Sequence, residues 1–306
     1  MAMLLPAKTA LPVALALFVL AMTPGNASGK DDQAAALAAP FGSAARYWEP
    51  EVYTATRFDD QHMVAAAGML VPFSRQPDRL LFADASGRRT EFETWEGDIG
   101  FGYRRLLAEG HTLVGGYGYL DEVRSDLGNS FRQVTVGMEL QAEYWSVRGQ
   151  HYFVDAHRSR DEGDGVTTAD LSSVVEHGFD GWDVELGSRL PVTVRAHELW
   201  VYGAYYQFEA SGWESVAGPR VRLDWRIPLD WATVGARLGL GLEWKRDASR
   251  GEQQMASIRF VVPMGAAAGA AHSSFRVSHW SRTRMAEPPI RALDVVTGSR
   301  SSSSGL

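Results

Sequence analysis

The sequence lacks cysteine altogether and has no excess of basic residues. Without cysteine, the 306-residue chain can form no disulfide framework, no thiolate metal site and no cysteine nucleophile. Its formal net charge is -7, whereas proteins that bind nucleic acid need a basic surface to meet the phosphates. We therefore predict that this chain has no nucleic-acid partner.

The motifs that mark enzymes and metal sites are also missing. The sequence has no GxSxG or HExxH pattern and no glycine-rich phosphate loop, and the eight histidines are scattered. The acidic stretch 161–164 lacks the length and pattern of a calcium loop. Isolated serine–histidine combinations stay open, namely Ser146 or Ser188 with His151 or His197. We predict a protein that is not an enzyme and that holds no metal or cofactor.

The sequence has a single long apolar run, and it lies at the start of the chain. Lys8 precedes the run 10–22, and helix-breaking and small residues follow it. A charged, an apolar and a cleavable region in this order are typical of a secretory signal, and the run is shorter than the ~20 residues that span a bilayer. We predict a signal peptide over residues 1–27, cleaved after Ala27 or, as a second choice, after Gly29.

Most of the remaining sequence alternates between apolar and polar residues with a period of two. In residues 131–142, Val134 and Val136 fall on one side, and Gln133 and Thr135 fall on the other. This is the pattern of a β-strand with one apolar and one polar face. Several such segments reach eleven to fourteen residues. That exceeds the usual strand length of about five to six and approaches or passes the roughly 9–11 residues of a tilted membrane strand.

The segments add up to an even number of strands. After a short periplasmic linker over 28–47, we predict an all-β domain over 48–264, a transmembrane antiparallel β-barrel in an up-and-down meander. Its twelve predicted strands are 48–58, 63–73, 79–88, 93–106, 111–121, 131–142, 144–154, 180–190, 197–209, 218–228, 232–245 and 252–264. Residues 167–175 are treated as part of a long loop, because a strand of their own would break the even count that bacterial barrels show.

Connection lengths agree with this order. Counted from a periplasmic start, the outer loops are 59–62, 89–92, 122–130, 155–179, 210–217 and 246–251, and the clearly long polar connections are among them. Short periplasmic turns and longer outer loops are typical of outer-membrane barrels. The connection around 191–196 is the one moderately long segment on the periplasmic side.

The alternation leaves two folds open, which differ in the face that points inward. A soluble sandwich packs its apolar face inside, whereas an outer-membrane barrel turns that face to lipid and lines its lumen with the polar one. The export signal, the strand lengths and the small polar-side residues Gly235, Gly239 and Gly241 favour the barrel. The charged residues then predicted to face the lumen are Asp98, Arg104, Glu139, Arg148, Asp183, Glu185, Arg189, Arg220, Arg222, Asp224, Arg226, Arg237 and Glu243.

Tryptophans fall at two levels of the predicted strands. The lipid-facing aromatic belt has Trp145, Trp225 and Trp231 near the periplasmic rim and Trp95, Trp182 and Trp244 near the outer rim. Two such belts at the height of the headgroups are expected of a barrel in lipid. In a soluble sandwich, the same tryptophans would lie in the core.

Several blocks of sequence resemble a known family. They are VPFSRQPDRLLFADASGRR (71–89), GDIGFGYRRLL (97–107), LVGGYGYLDEVRSDLGNSFRQVTVGMEL (113–140), WSVRGQHYF (145–153), GFDGWDVELGSRLP (178–191), AGPRVRLDWR (217–226) and RMAEPPIRALDVVT (284–297). In order and spacing they resemble the translocator β-barrel domain of inverse autotransporters, the intimin and invasin group. The resemblance covers about residues 48 to 297. It implies a twelve-stranded outer-membrane barrel with a periplasmic N-terminus and a C-terminal passenger that is threaded through the lumen for protein secretion and cell adhesion.

The chain departs from that family at both ends. Residues 28–47 are too short for a peptidoglycan-binding module, and nothing after residue 297 resembles a passenger. The tail 265–306 can still pass through the lumen, because about ten extended residues span ~30 Å.

We predict a bacterial outer-membrane translocator and anchor that exports its own C-terminal segment after signal-peptide cleavage. Its expected partners are outer-membrane lipid, the barrel-assembly machinery, export chaperones and its own tail in the lumen. A candidate assembly signal is formed by Arg237, Gly239, Leu242 and Trp244. The alternatives are a passenger-free outer-membrane pore or structural barrel, and an exported soluble β-sandwich that binds a ligand.

The barrel and the sandwich predict different behaviour in cell fractions. A barrel should fractionate with membranes and migrate differently on a gel before and after boiling, because its closed sheet resists detergent until it is heated. Recovery in the soluble periplasmic fraction, with a mobility that boiling leaves unchanged, would contradict the barrel.

Overall fold

The computed structural model describes most of the chain after the predicted linker. The described residues are 48–59, 63–73, 76–90, 95–124, 129–155, 157–160, 173–192, 194, 196–229, 231, 235–264, 279–291 and 296–302. The predicted signal peptide 1–27 and linker 28–47 lie outside these ranges. In the described part of the chain, no helix has the length and apolar character that a membrane span requires.

Twelve antiparallel strands form a closed barrel, as the sequence predicted. The barrel strands are β1 (Glu51–Asp59), β2 (Met63–Pro72), β3 (Arg79–Thr90), β4 (Trp95–Leu107), β5 (Thr112–Arg124), β6 (Ser130–Ala142), β7 (Trp145–Val154), β10 (Asp180–Leu190), β11 (Glu198–Glu209), β12 (Val216–Pro228), β13 (Arg237–Asp247) and β14 (Gly251–Pro263). Each strand pairs with the next barrel strand along the chain, and β14 returns to pair with β1. The sheet therefore has no free edge.

The two ends of the barrel are called the lower and the upper rim. The lower rim holds the start of β1 and the end of β14, where Glu51 faces Pro263, and the upper rim holds Asp59 opposite Met255. Strands β6 and β7 are joined at the lower rim by residues 143–144. Strand β7 ends and β10 begins at the upper rim, and residues 155–179 separate these two strands in the sequence.

Three further strands form a small separate sheet. They are β8 (His157–Arg160), β9 (Ser173–Gly178) and β15 (Thr297–Ser302), and β9 lies between the other two. The treatment of 167–175 as loop is therefore wrong for residues 173–175, which belong to β9, while 167–172 lie outside the described residues. The even count of the barrel survives because β8 and β9 pair with each other and not with the wall.

One predicted strand begins later than expected. The alternation suggested a strand from residue 232, but β13 begins at Arg237. Gly235 belongs to the preceding turn, where its φ of +82° is a conformation that glycine adopts without steric cost. It is therefore not part of the inner wall, in contrast to Gly239 and Gly241, which occupy the same parity as Arg237 within β13.

The apolar face of the sheet points outward. On β6, Met138 is 69% exposed and Val136 is 50% exposed, whereas Gln133 and Thr135 are almost completely buried. The same alternation of exposed and buried residues runs along β10. The pattern of burial is therefore the reverse of that in a soluble sheet, because the polar side chains fill the interior of the barrel and the apolar ones cover its outside.

Aromatic rings lie flat across glycines on the inner wall. A Cβ built on Gly100 would meet the Tyr119 ring at 2.3 Å, and one built on Gly137 would meet the Tyr117 ring at 2.4 Å. Other pairs of this kind are Tyr53 with Gly68, Phe82 with Gly102, Phe208 with Gly181 and Tyr202 with Gly187. In each pair the ring occupies the space that a side chain on the neighbouring strand would fill, so both residues contribute to one packed layer.

These contacts predict a position-dependent cost of adding a methyl group. The ring of Tyr119 is fixed by a hydrogen bond from its hydroxyl to Asp84, so Gly100→Ala should lower the free energy of unfolding by about 1–3 kcal/mol through overpacking. Gly203 has no atom within 4 Å of a built Cβ, and Gly203→Ala is the matched control. Urea unfolding in lipid vesicles measures both, and equal stabilities of the two variants would refute the packing role.

Candidate functional site

The charges predicted to face the lumen lie inside the barrel or at its rim. Those that are buried are Asp98, Arg104, Glu139, Asp183, Glu185, Arg222 and Arg237. Those that are partly buried are Arg148, Arg189, Arg220, Asp224, Arg226 and Glu243. Arg189 lies at the lower-rim end of β10, where its guanidinium is 3.7 Å from the carboxylate of Glu143. The lumen is therefore the candidate functional site.

Glu185 is the centre of an ion network on one side of the wall. Its carboxylate pairs with Arg148, directly opposite on β7, with Arg222 at 2.8 Å and with Arg220 at 3.4 Å. Arg222 also lies 2.5 Å from the carboxylate of Asp224. Arg220 also lies 3.3 Å from the carboxylate of Asp183, so each arginine of this network has at least one carboxylate partner.

A short helix occupies the lower part of the lumen. Helix α1 (His279–Ala286) buries Trp280 and Met285 in an apolar cluster with inward-facing wall residues such as Leu80 and Phe82. The hydroxyl of Ser281 donates a hydrogen bond of 2.5 Å to the carbonyl of Gly110, in the lower-rim turn between β4 and β5. The start of the helix is thereby fixed at the lower rim.

Arg104 caps the end of this helix. Its guanidinium donates hydrogen bonds to the carbonyls of Arg284 at 3.2 Å, Met285 at 2.8 Å and Glu287 at 2.5 Å, and it pairs with Glu139 at 2.6 Å. The last carbonyls of a helix have no partners within it, and a cation there also meets the negative end of the helix dipole. Arg104 therefore satisfies backbone acceptors that the lumen would otherwise leave buried without donors.

A second set of ion pairs holds the same segment from the opposite wall. Arg284 pairs with Glu198 at 2.9 Å and with Glu287 at 2.8 Å, and Arg226 lies 3.4 Å from Glu287. The guanidinium of Arg284 also lies 4.8 Å from the centroid of the Trp200 ring. The segment after the helix is thus bound by charged groups of both signs.

Arg291 is bound in a carboxylate pocket higher in the lumen. Its guanidinium lies 2.5 Å from Asp98, pairs with Asp121, and lies 3.8 Å from the centroid of the Tyr119 ring. The hydroxyl of Tyr119 donates to Asp84, whose other oxygen accepts from Tyr53. The pocket places cation–π contact and two carboxylates around a single guanidinium, a geometry that suits arginine better than lysine.

The last described strand of the chain lies at the upper rim. The carbonyl of Val296 accepts a hydrogen bond of 2.9 Å from the amide of Phe179, just before β10. Strand β15 then pairs with β9 over its whole length, from Thr297 opposite Gly178 to Ser302 opposite Ser173. The described parts of the C-terminal segment therefore occur at the lower rim, within the lumen and at the upper rim.

Several residues of this site were not identified from the sequence. They are Glu51, Tyr53, Asp84, Tyr119, Asp121, Glu198, Arg284, Glu287 and Arg291. The inward parity of Asp84 and Asp121 on their strands is a signal that could have found them. Nothing in the sequence of the tail indicates which wall residues its charges meet.

The predicted aromatic belt is exposed where its side chains are described. Trp145, Trp182 and Trp225 are exposed and Trp231, in the turn after β12, is 85% exposed. Trp244 is partly buried and donates to Glu252 at 2.8 Å, and the side chain of Trp95 lies outside the described residues. The candidate assembly signal from Arg237 to Trp244 lies on β13, and its role stays a prediction.

Among the described residues, no group of three or more histidine, aspartate or glutamate side chains could hold a metal ion.

Comparisons with known proteins give a family and a fold. The sequence matches the family described as inverse autotransporter, beta-domain, over residues 49–209. A structure from a study of the in-meso crystallization of membrane proteins is similar at a TM-score of 0.58 and 14% identity, covering 82% of this chain and 100% of that one. An outer membrane channel from Pseudomonas putida F1 is similar at a TM-score of 0.52 and 11% identity, covering 73% of this chain and 98% of that one. None of the curated proteins matches the chain.

The buried pair of Arg104 and Glu139 predicts a large effect of removing one charge. Both side chains are 2% exposed, so Glu139→Gln leaves a buried guanidinium without its carboxylate and should lower the free energy of unfolding by about 3–5 kcal/mol. Arg132 and Glu122 form a matched exposed pair at 4.0 Å, 65% and 62% exposed. Glu122→Gln should cost about 0–1 kcal/mol.

Urea unfolding in vesicles, followed by tryptophan fluorescence, measures both changes. The double variant Arg104→Met with Glu139→Leu should stay destabilised, because the buried carbonyls at the end of the helix then lose the donor that Arg104 provides. If Glu139→Gln lowered the free energy of unfolding as little as Glu122→Gln does, the stability of the barrel would not depend on the carboxylate beside Arg104.

Proposed function

Because the chain belongs to the inverse autotransporter β-domain family, we propose that this outer-membrane β-barrel anchors and exports its own C-terminal segment through its lumen. Residues 49–209 match the family, more than half of the chain. The family and the barrel fold support an outer-membrane location. The part of the proposal that goes beyond the family and the fold is that the segment after β14 crosses the membrane, and in which direction.

The observation that carries the proposal is the position of the C-terminal segment in the barrel. Ser281 is bound at the lower rim, the carbonyl of Ile290 accepts 2.9 Å from Arg148 within the lumen, and Val296 is bound at the upper rim. A chain held at these three levels by wall residues is what transport through the lumen would leave in place. At each level an atom of the C-terminal segment forms a hydrogen bond with a barrel strand or with a residue near one, which favours a segment that belongs in the barrel.

The connection lengths support an orientation with the upper rim outside. Outer-membrane barrels have short periplasmic turns and longer external loops. The turn between β6 and β7 at the lower rim comprises residues 143–144, whereas the upper rim carries residues 155–179 and the sheet formed with β15. In this orientation β14 ends in the periplasm and β15 lies at the cell surface.

The remaining partners follow from the same proposal. A secretory signal would deliver the chain to the periplasm, where chaperones and the barrel-assembly machinery would receive it. The outward face, with exposed side chains such as Phe101 and Met138, would then contact lipid. The role is mechanical rather than catalytic, since the charged groups of the lumen are engaged with one another and with the tail.

Surface exposure of the C-terminus tests the proposal. An epitope tag after Leu306 should be detected by antibody on intact cells, as should a tag between Ser211 and Gly212 in an upper-rim turn. A tag between Glu143 and Tyr144 in a lower-rim turn should be detected only after the outer membrane is permeabilised. A C-terminal tag that behaves like the lower-rim tag would contradict export and favour a passenger-free structural barrel.

A further inference from the structure

Two carboxylates face the lumen from neighbouring strands of the wall. Asp98 on β4 and Asp121 on β5 are directly opposite each other in the register of the sheet, and neither side chain is exposed. The Cβ atoms of such a pair are about 5 Å apart, and like charges at this distance are destabilising. Among the described residues of the wall, no arginine or lysine pairs with either carboxylate, so the cation that they require comes from the C-terminal segment.

Other residues of the wall hold this pocket in shape. The hydroxyl of Ser86 donates a hydrogen bond of 2.7 Å to Asp98. The ring of Tyr119 forms another side of the pocket, and its hydroxyl donates to Asp84 at 2.8 Å. Asp84 also accepts a hydrogen bond of 2.9 Å from Tyr53. The orientations of the carboxylate and the ring are therefore fixed by the wall and do not depend on the C-terminal segment.

One side chain of the C-terminal segment fills the pocket. The guanidinium of Arg291 lies 2.5 Å from Asp98 and pairs with Asp121, and the side chain is 2% exposed. It also lies 3.8 Å from the centroid of the Tyr119 ring. A planar fork of donors can meet two carboxylates and an aromatic face together, whereas an ammonium group is a compact point charge. The pocket therefore favours a guanidinium over an ammonium of equal charge.

The position of Arg291 along the segment matters as well. The carbonyl of Ile290, directly before it, accepts a hydrogen bond of 2.9 Å from Arg148. From residue 287 to the end of the sequence, the basic residues are Arg291 and Arg300. Few guanidinium groups can therefore enter the pocket as this part of the chain moves along the lumen.

We propose that Asp98, Asp121 and Tyr119 form a guanidinium-binding site that holds the exported segment in one register. Arg291 is the group bound there. The inference rests on the proposed export of the segment and adds the contact at which its movement through the lumen ends. A slip of one residue moves an extended chain by about 3.3 Å, which would withdraw the guanidinium and leave two buried carboxylates without a cation.

Chemical rescue tests the site. The full chain with Arg291→Ala, folded in a maltoside detergent, should unfold about 10 °C below the unaltered chain, because two buried carboxylates lose their cation. Methylguanidinium at about 10 mM should restore about 4 °C, because it binds only the folded state. Methylammonium, which has the same charge, should restore none. At about 10 mM, a guanidinium salt has almost no denaturing effect.

Three matched variants show where the ligand acts. The unaltered chain, whose pocket is filled, should show no rise with methylguanidinium. The triple variant Arg291→Ala, Asp98→Asn and Asp121→Asn keeps the size of the wall side chains but removes both charges, and it should show no rise either. Arg291→Lys should unfold below the unaltered chain. If Arg291→Ala does not reach the folded state, its refolding yield replaces the midpoint, and a yield that methylguanidinium leaves unchanged overturns the proposal.

A cross-link tests the register. The chain has no cysteine, so the pair Val174→Cys with Ser301→Cys, at opposite positions of β9 and β15, provides the only thiols. Opposite strand residues have Cα atoms about 4.5–5.5 Å apart, which a disulfide can bridge. On intact cells the cross-link should form when Arg291 is present and decrease several-fold with Arg291→Ala. Methylguanidinium should not restore it, because a free ligand fills the pocket without holding the segment.

The two measurements can each contradict the proposal. Equal rescue by methylammonium, or an Arg291→Ala variant with the midpoint of the unaltered chain, overturns the guanidinium site. An undiminished cross-link in Arg291→Ala overturns its hold on the register. A C-terminal tag that stays inaccessible on intact cells would instead contradict export, and the rescue in detergent is read independently of that result.

Discussion

Every backbone amide and carbonyl of a strand in lipid must find its partner within the protein, and this requirement determines the rest of the structure. A closed sheet meets it, since β14 pairs with β1 and no edge remains. Closure also fixes which residues face inward, because side chains alternate along each strand. The apolar half of the alternation is then left for lipid, and the charged half is confined to the lumen.

Because the charged side chains are confined to the lumen, the barrel must pack them closely and neutralise their charges. The wall does so in two ways, with rings laid over glycines and with networks of arginines and carboxylates. The C-terminal segment contributes to the same packing and neutralisation. It brings Glu287 to Arg226 and Arg291 to Asp98, and its backbone carbonyls accept from Arg104 and Arg148. The segment is therefore as much a structural element of the barrel as any strand.

Much of this fold follows from local sequence patterns, which explains why so much of it could be predicted from the sequence. Strand count, face and the inverse autotransporter family were predicted correctly, because alternation and turn residues act over short distances. Gly235 shows the limit of that approach, since parity alone assigned it to a wall that it does not join. Strand β9 was missed because its partners, β8 and β15, are a short strand and a distant segment.

The contacts of the lumen are harder to predict for a different reason. Asp98 and Asp121 face each other on the neighbouring strands β4 and β5, but Arg291 meets them only because the C-terminal segment returns into the closed barrel, and no sequence spacing encodes that meeting. Residues 284–297 resemble the family in sequence, but the partners of this segment depend on the radius and stagger of the barrel. The parity of a residue along its strand predicts the face of the sheet on which its side chain lies. Which side chains meet on that face depends on the assembled barrel.

The seam between β1 and β14 has a consequence for the order of folding. Neighbouring barrel strands elsewhere are joined by a connection at one rim, whereas the seam joins the first strand to the last. Arg237 and Glu51, 186 positions apart, form a two-pronged pair across it, with N–O distances of 2.9 and 2.5 Å. Since chain entropy opposes such distant closure until the intervening strands are assembled, the seam and its ion pair form late. Until that step, the growing sheet keeps two open edges with unpaired backbone groups, and closure of the seam is the single step that removes both.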